Sequence, residues 1–316
     1  YDLAPLQKRP STQFWELPTG SKIGYTFIPA STNVTKKSAS ILFLHGGPGG
    51  KVNDGTISLA AQLSEDGFDT YLYDQIGSGQ SARLKNIKEY SANRHERDLE
   101  AIIEKIGAPK VILIGQSWGA VLATLFMAKN PDKLEKVIFT CPGPIQPQKN
   151  ELASSRPPDS LDLHDPVYSN AEANRKMATV RSQFVTFLAR NLGWKLASDA
   201  EMDDFASYRP AECARSVVCD PAKALTTPEA GSGFYVQTMT MESLEKIDDP
   251  RPVLKNIQVP ILVLKGQFDN QKWGFTHEYL DIFPKSRLVV VPKAGHSIGI
   301  EQPGILMKTM RDFLKN

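Results

Sequence analysis

Residues 111–119 read Val111-Ile112-Leu113-Ile114-Gly115-Gln116-Ser117-Trp118-Gly119. The first four are apolar and mostly β-branched, the composition of a short buried strand. The Gly-x-Ser-x-Gly pattern that follows is typical of a tight turn from a strand into a helix, because no side chains fit beside the serine. Residues 120–129 are apolar and helix-permissive until Pro131 ends them. The segment therefore predicts a strand, a strained turn and a helix, with Ser117 raised at the carboxyl end of the strand.

Short apolar runs of the same kind occur on both sides of this segment, and the first two flank a turn that predicts an N-terminal hairpin. Between later runs, apolar residues recur at helical spacing, as at Leu99, Ile102 and Ile106, before Gly107 closes the pattern. The predicted strands are 14–17, 23–28, 41–44, 70–73, 111–114, 137–140, 261–264 and 288–291. Strands that alternate with helices imply an α/β fold with a mostly parallel central sheet and helices on both faces.

The alternation breaks between about Pro142 and Pro250, where no buried strand is evident. Polar helical stretches such as 170–191 and a proline-rich turn take its place. This composition indicates a helical insertion within the sheet protein. We therefore expect a core in two parts, residues 1–142 and 251–316, with a helical cap at residues 143–250.

Size and composition exclude several classes of protein. The chain has 316 residues, of which 41% are hydrophobic and 23% are charged, the usual mix of a globular protein. Its net charge of +2 is too small to indicate a nucleic acid as partner, and no apolar run is long enough to span a bilayer. We expect a small-molecule or short-peptide substrate, no nucleic acid and no membrane insertion, with the oligomeric state open.

The cysteines and the N-terminus leave the compartment open. Cys141, Cys213 and Cys219 are too few for a disulfide framework. Cys213 and Cys219 could pair in an exported protein, and three free thiols are the alternative. The chain begins at Tyr1, as either a cleaved signal peptide or a shortened chain would produce. Cytoplasmic and exported locations are therefore both retained.

A serine hydroxyl is a weak nucleophile, so Ser117 requires a base and a carboxylate that orients the base. His296 lies in the loop after the last predicted strand and is the candidate base. Asp269 follows the strand at 261–264 and is the candidate acid. The order serine, acid, histidine is the usual one for enzymes with this serine turn. Solvated or structural roles are expected for three other histidines, of which the first two lie in polar, surface-like sequence: His95, His164 and His277.

Cleavage of an acyl bond also needs hydrogen-bond donors aimed at the oxyanion that develops on the carbonyl. The backbone N–H of Trp118, directly after the serine, is one candidate donor. The glycine-rich run at 45–50 follows a buried strand and leaves its N–H groups unobstructed. Gly47 in that run is the second candidate donor, and Gly46 beside it is a candidate for substrate contact.

Three motifs together resemble the proline iminopeptidase (prolyl aminopeptidase) family of α/β-hydrolases. They are His45-Gly46-Gly47-Pro48-Gly49, Asp74-Gln75-Ile76-Gly77-Ser78-Gly79-Gln80-Ser81 and Gly115-Gln116-Ser117-Trp118-Gly119. The similarity covers about residues 12–142 and 255–316 and is weak in the insertion. It implies a Ser-Asp-His triad, an oxyanion hole from the glycine-rich loop and the residue after the serine, and a helical cap. It also implies release of an N-terminal residue, typically proline, from short peptides, with neither metal nor cofactor.

The chain departs from that family's pattern in two ways. Ile76 stands where the family usually has arginine. Members hold the ammonium group of the substrate with cap carboxylates, but the comparable segment here, 231–235, has no acid, and Asn270 stands where some members have another. The candidate substrate-binding residues in the cap are Glu212, Glu242, Phe234 and Tyr235. A solvated surface charge is the alternative for each glutamate.

Three hypotheses on function remain open. The first is an exopeptidase that releases N-terminal proline or another small residue. The second is a carboxylesterase, amidase or lactonase that acts on a neutral acyl substrate. The third is a non-catalytic ligand-binding protein on the same fold, since fold alone never proves activity. The first two predict an acyl-enzyme at Ser117, and they differ in whether blocking the amine of the substrate changes the rate.

Overall fold

The computed structural model describes residues 2–315, and Tyr1 and Asn316 lie outside them. The strands are β1 (Thr12–Glu16), β2 (Lys22–Ile28), β3 (Ser40–Leu44), β4 (Thr70–Tyr73), β5 (Val111–Gln116), β6 (Leu134–Thr140), β7 (Ile261–Gly266) and β8 (Ser286–Val291). They form one sheet in the order β1-β2-β4-β3-β5-β6-β7-β8. The hairpin β1–β2 is antiparallel and β3 to β8 are parallel to one another, which confirms the predicted α/β architecture.

Helices cover the sheet on both faces. Those of the described residues are α1 (Asp54–Glu65), α2 (Ala92–Ile106), α3 (Trp118–Lys129), α4 (Ala171–Met177), α5 (Val180–Leu192), α6 (Asp199–Glu212), α7 (Phe234–Ser243), α8 (Arg251–Leu254), α9 (Trp273–Ile282), α10 (Ile298–Glu301) and α11 (Pro303–Lys315). The sequence analysis missed α1. Its start is marked by Asn53, whose side chain accepts a hydrogen bond from the backbone N–H of Thr56 in the manner of an N-cap.

Successive side chains of the central strands point to opposite faces of the sheet, and each face carries its own hydrophobic core. Leu42 and Leu44 of β3 pack into one cluster, while Ile41 and Phe43 pack into the other. All four side chains are buried because helices lie on both sides, so the strand is apolar throughout. The two cores fix the sheet as a rigid support for the loops at its carboxyl edge.

Between β6 and β7, residues 141–260 contain only helices and irregular segments and no strand. An ion pair between Arg83 Nε and Asp203 Oδ2, 2.8 Å long and largely buried, ties α6 to the loop after β4. The carboxylate of Glu301 in α10 accepts hydrogen bonds from the backbone N–H groups of Cys219 and Asp220. The inserted helices are therefore attached to the core at more than one edge.

The structure also bears on membrane association and on the cysteines. No helix within residues 2–315 combines the length and the apolar character needed to cross a membrane. Cys141, Cys213 and Cys219 are all free thiols. The disulfide between Cys213 and Cys219 that the sequence allows is therefore not formed in this structure.

Candidate active site

Ser117 occupies a tight turn between β5 and α3. Its φ is +52° and its ψ is −114°, a backbone conformation that side-chain-bearing residues adopt only when their surroundings enforce it. A Cβ at Gly115 would lie 2.7 Å from the carbonyl oxygen of Gly119, and a Cβ at Gly119 would lie 2.1 Å from that of Leu44. Glycine is thus sterically required at both positions, and the turn holds Ser117 half-buried at the carboxyl edge of the sheet.

His296 and Asp269 meet through the loops that follow β8 and β7. His296 Nδ1 lies 2.7 Å from Asp269 Oδ1, and the Asp269 side chain is fully buried. Burial alone would raise the pKa of Asp269, but His296, Lys265 and the backbone N–H of Gln271 outweigh it and hold the pKa at about 2. The carboxylate is therefore ionised at neutral pH. It holds the imidazole proton on Nδ1, so that Nε2 is the nitrogen that can accept a proton.

The loop after β6 lies between Ser117 and the His296–Asp269 pair. The backbone N–H of Ser117 donates to the carbonyl of Thr140 at 3.1 Å. One residue further on, the sulfur of Cys141 and the polar atoms of Asp269 and His296 all lie within 4.8 Å of one another. The segment Thr140–Cys141 therefore contacts the serine turn on one side and the His296–Asp269 pair on the other. Among residues 2–315 Ser117 Oγ forms no hydrogen bond, and catalytic hydrogen bonds often tighten only when substrate is bound.

The backbone N–H groups of Gly47 and Trp118, the two candidate oxyanion donors, have no hydrogen-bond partner among residues 2–315. Gly47 has a φ of +130°, which glycine adopts at no steric cost. A Cβ at Gly46 would lie 3.4 Å from Ser117 Cβ, so the glycine-rich loop passes directly beside the serine turn. Both candidate donors are therefore unpaired, one directly after Ser117 in the chain and the other directly after Gly46 in the neighbouring loop.

Gln75 links the glycine-rich loop to the serine turn, a contact that the sequence analysis missed. Its side-chain N–H donates to the His45 carbonyl at 3.0 Å, and its side-chain oxygen accepts from Trp118 Nε1 at 2.8 Å. The backbone N–H of Gln75 donates to His45 Nε2 at 2.9 Å, so the remaining proton lies on Nδ1 and is donated to the Gly46 carbonyl at 2.8 Å. Burial lowers the pKa of His45, which keeps this ring neutral and able to accept. One side chain thus fixes both loops that carry the candidate oxyanion donors.

A cavity of about 280 Å³ opens at the imidazole of His296. Gln116, which precedes the serine, and Thr140 also line it, together with apolar residues of the sheet and of α1, α10 and α11. No carboxylate is among the described residues that line this cavity. Polar side chains such as Asn53, Thr56 and Gln62 also line it, so the lining within residues 2–315 is mixed and contains neither carboxylate, lysine nor arginine.

A larger cavity, of about 890 Å³, lies among the cap helices α4 to α7. Of the predicted substrate-binding residues, Phe234 and Glu242 line it. The start of α7 contacts the glycine-rich loop, because the backbone N–H of Gly233 donates to the Gly49 carbonyl at 2.8 Å. One cavity therefore lies beside the imidazole and a larger one lies among the inserted helices.

The structure places the other two predicted substrate-binding residues elsewhere. Tyr235 is 1% exposed, and its hydroxyl donates to the Ala197 carbonyl at 2.8 Å within the cap core. Glu212 forms an ion pair with Lys176, and Glu242 likewise pairs with Arg190. Both glutamates are therefore partly buried and already matched by a cation, which the sequence alone did not indicate.

His95 does not lie in the polar, surface-like surroundings that its sequence context indicated. It is 1% exposed, its Nε2 lies 3.0 Å from Thr240 Oγ1, and its ring meets the edge of Trp118 at 5.8 Å between centroids. The error arose because His95 has charged neighbours in α2. Three of these, Arg94, Glu96 and Asp98, are themselves buried and hydrogen-bonded, so their charge does not mark an exposed segment. His164 and His277 are half-exposed beside acidic side chains, as expected.

The chain belongs to the α/β-hydrolase fold family, whose model matches residues 39–303. Its curated relatives include proline iminopeptidases, as the sequence motifs indicated. The protein of Lactobacillus delbrueckii subsp. bulgaricus is 33% identical over 282 residues, which cover 87% of this chain and 90% of that protein. The protein of Heyndrickxia coagulans is 25% identical, with the same shares covered.

Solved structures agree on the fold. An esterase (EaEST) from Exiguobacterium antarcticum superposes with a TM-score of 0.65 at 17% identity, covering 96% of this chain and 99% of that chain. Structural similarity at this sequence identity shows that the two proteins share a fold, and it carries no information on the substrate.

Proposed function

We propose that this protein is a serine hydrolase that cleaves an acyl bond through a covalent intermediate on Ser117. The observation that carries the proposal is the 2.7 Å contact between His296 Nδ1 and the buried Asp269, at the edge of the sheet where Ser117 occupies its strained turn. An oriented imidazole next to a raised serine is the arrangement that turns a hydroxyl into a nucleophile. Membership of a hydrolase family supports the same reaction class.

In this mechanism Ser117 Oγ attacks the substrate carbonyl while its proton passes to His296 Nε2. Asp269 stabilises the imidazolium that forms, and the N–H groups of Gly47 and Trp118 donate to the oxyanion. The imidazolium then protonates the leaving group, which departs and leaves an acyl-enzyme. Water, deprotonated by the same imidazole, releases the acid and restores the serine.

Release of an N-terminal residue from short peptides is the activity we propose first. The similarity to proline iminopeptidases supports it, because the alignment with this chain covers about nine-tenths of each of those proteins. The larger cavity provides a place for the substrate amine, because Glu242 lines it close to Phe234 and is only partly exposed. An ammonium group there would share the carboxylate with Arg190, which already donates to it at 2.5 Å.

Hydrolysis of a neutral ester, amide or lactone is the second candidate. It is favoured by the small cavity at His296, whose lining within residues 2–315 contains no carboxylate, and by the cation that already matches Glu242. An ammonium group in such a cavity would lose hydration without a counter-charge, at a cost of several kcal/mol.

Three substrates separate the two candidates: prolyl p-nitroanilide, its N-acetyl derivative and p-nitrophenyl butyrate. The peptidase should cleave the free-amine anilide at least about 100-fold faster than the acetylated one, since a lost charged contact costs roughly 3 kcal/mol. Glu242→Gln should raise KM for the free-amine substrate alone, while Glu104→Gln, an exposed change on α2, should leave it unaltered. Equal rates for both anilides, or turnover of the ester alone, would overturn the peptidase assignment and favour the esterase.

A further inference from the structure

Lys265 is a buried lysine that contacts the candidate acid. Its side chain is 3% exposed and lies in β7, four residues before Asp269. Lys265 Nζ donates to Asp269 Oδ2 at 3.0 Å and to the Gln271 carbonyl at 2.8 Å. Lysines are rarely this buried, and only pairing makes the burial of such a charge tolerable. The partner of Lys265 is the carboxylate that also orients the imidazole.

The two oxygens of the Asp269 carboxylate have different partners. Oδ1 accepts from His296 Nδ1 at 2.7 Å and from the Gln271 backbone N–H at 3.1 Å, while Oδ2 accepts from Lys265. A partial rotation of the carboxylate about its Cβ–Cγ bond would weaken the hydrogen bonds to Lys265 and to His296 together. The lysine therefore helps to hold the carboxylate plane in which one oxygen faces the imidazole.

Lys265 also alters the electrostatics at the imidazole. A carboxylate alone stabilises an adjacent imidazolium, but a carboxylate already paired with a permanent cation does so much less. The attraction of Lys265 also contributes to the low pKa of Asp269, where burial acts in the opposite direction. The pair Lys265–Asp269 is close to neutral as a unit, so it orients the imidazole without strongly favouring its protonation.

Few other titratable groups face this pair. Cys141 lies at the end of β6, and burial beside Asp269 raises the pKa of its thiol, so it is neutral. The Glu301 carboxylate in α10 binds the backbone N–H of Gly295 at 2.7 Å and that of Asp220 in the cap at 2.8 Å. Of the residues that hydrogen-bond to the Asp269 carboxylate within 2–315, Lys265 alone is a permanent cation.

We propose that Lys265 is a positioning residue that locks the Asp269 carboxylate against His296 and offsets the attraction of that carboxylate for a proton on the imidazole. The proposal rests on the proposed function for its catalytic meaning. The contact and its effect on the imidazole do not depend on which substrate is cleaved.

The test is an NMR titration of the His296 imidazole, which requires no turnover, in the wild type and in Lys265→Met. Removal of the cation should raise the pH midpoint of the imidazole by about one unit, the usual size of a nearby-charge effect. Lys265→Arg keeps the charge and should restore the midpoint. Lys265→Gln, which is uncharged but polar, replaces Lys265→Met if the latter does not fold.

Lys272→Met is the matched control, because this exposed lysine lies in the same loop as Asp269 but pairs with Asp165. It should leave the midpoint of His296 unchanged. If substrates are turned over, the acid limb of kcat/KM should shift in parallel with the NMR midpoint. A midpoint that is unmoved or lower in the uncharged variants would overturn the proposal, whereas absence of turnover would count only against the proposed function.

Discussion

At the scale of single residues, the buried His95 couples stability to pH. Burial lowers its pKa from 6.5 to about 3, so the folded state keeps the ring neutral over a range in which the unfolded chain protonates it. The unfolded state thus binds more protons below pH 6.5, and the free energy of unfolding should fall with decreasing pH until about pH 3. His95→Gln should make this fall shallower by up to about 1.4 kcal/mol per pH unit. Urea unfolding at pH 7, 6, 5 and 4 measures the slope.

His277→Gln provides the control for that experiment. Its ring in α9 is half-exposed and lies 3.2 Å from Asp281, so it differs from His95 in burial. In His277→Gln the free energy of unfolding should fall with decreasing pH at least as steeply as in the wild type. If His95→Gln retained the full wild-type slope, the ring of His95 would not be the proton-linked group.

At the scale of elements, Glu301 joins α10, the His296 loop and the cap. Its carboxylate accepts from the backbone N–H groups of Gly295 at 2.7 Å, Cys219 at 2.9 Å and Asp220 at 2.8 Å. In Glu301→Gln the amide NH2 would face these donors, and at least one would lose its acceptor. We expect a loss of about 1–3 kcal/mol in the free energy of unfolding and a lower kcat, because the loop that carries His296 loosens. Urea unfolding and steady-state kinetics measure the two effects.

Glu104→Gln again serves as the control, since Glu104 is exposed on α2 and far in sequence from the cap attachment. It should alter neither the stability nor kcat. Wild-type stability and kcat in Glu301→Gln would show that the three hydrogen bonds do not hold the loop.

At the scale of the whole molecule, the sheet and the serine turn could be predicted because their signals are local. β4 was predicted with its observed bounds, and the glycines around Ser117 are required by contacts within one turn. Asp269 and His296 could be predicted because parallel strands place the loops after them at one edge. Their 2.7 Å contact could only be measured in the folded chain.

The contacts that the sequence analysis missed join residues far apart in the chain. Gln75 bonds to His45 and to Trp118, and no periodic pattern relates positions so distant. His95 could have been found, because it lies four residues before Leu99 on the buried face of α2. The burial of Lys265 had a signal too, since it continues a strand whose neighbouring residues are all apolar. In both cases the apolar pattern of the helix or strand indicated burial, but the charge of the residue or of its neighbours suggested exposure.

The central claim is that Ser117 becomes a nucleophile through an imidazole oriented by Asp269. The most direct measurement is the intact mass of the protein after reaction with a fluorophosphonate, followed by peptide mapping. We predict one adduct, on Ser117, absent in Ser117→Ala and formed at least about 1,000-fold more slowly in His296→Ala. Labelling of Ser117 that proceeds equally fast without the imidazole, or no labelling of the folded wild-type protein, would contradict the account.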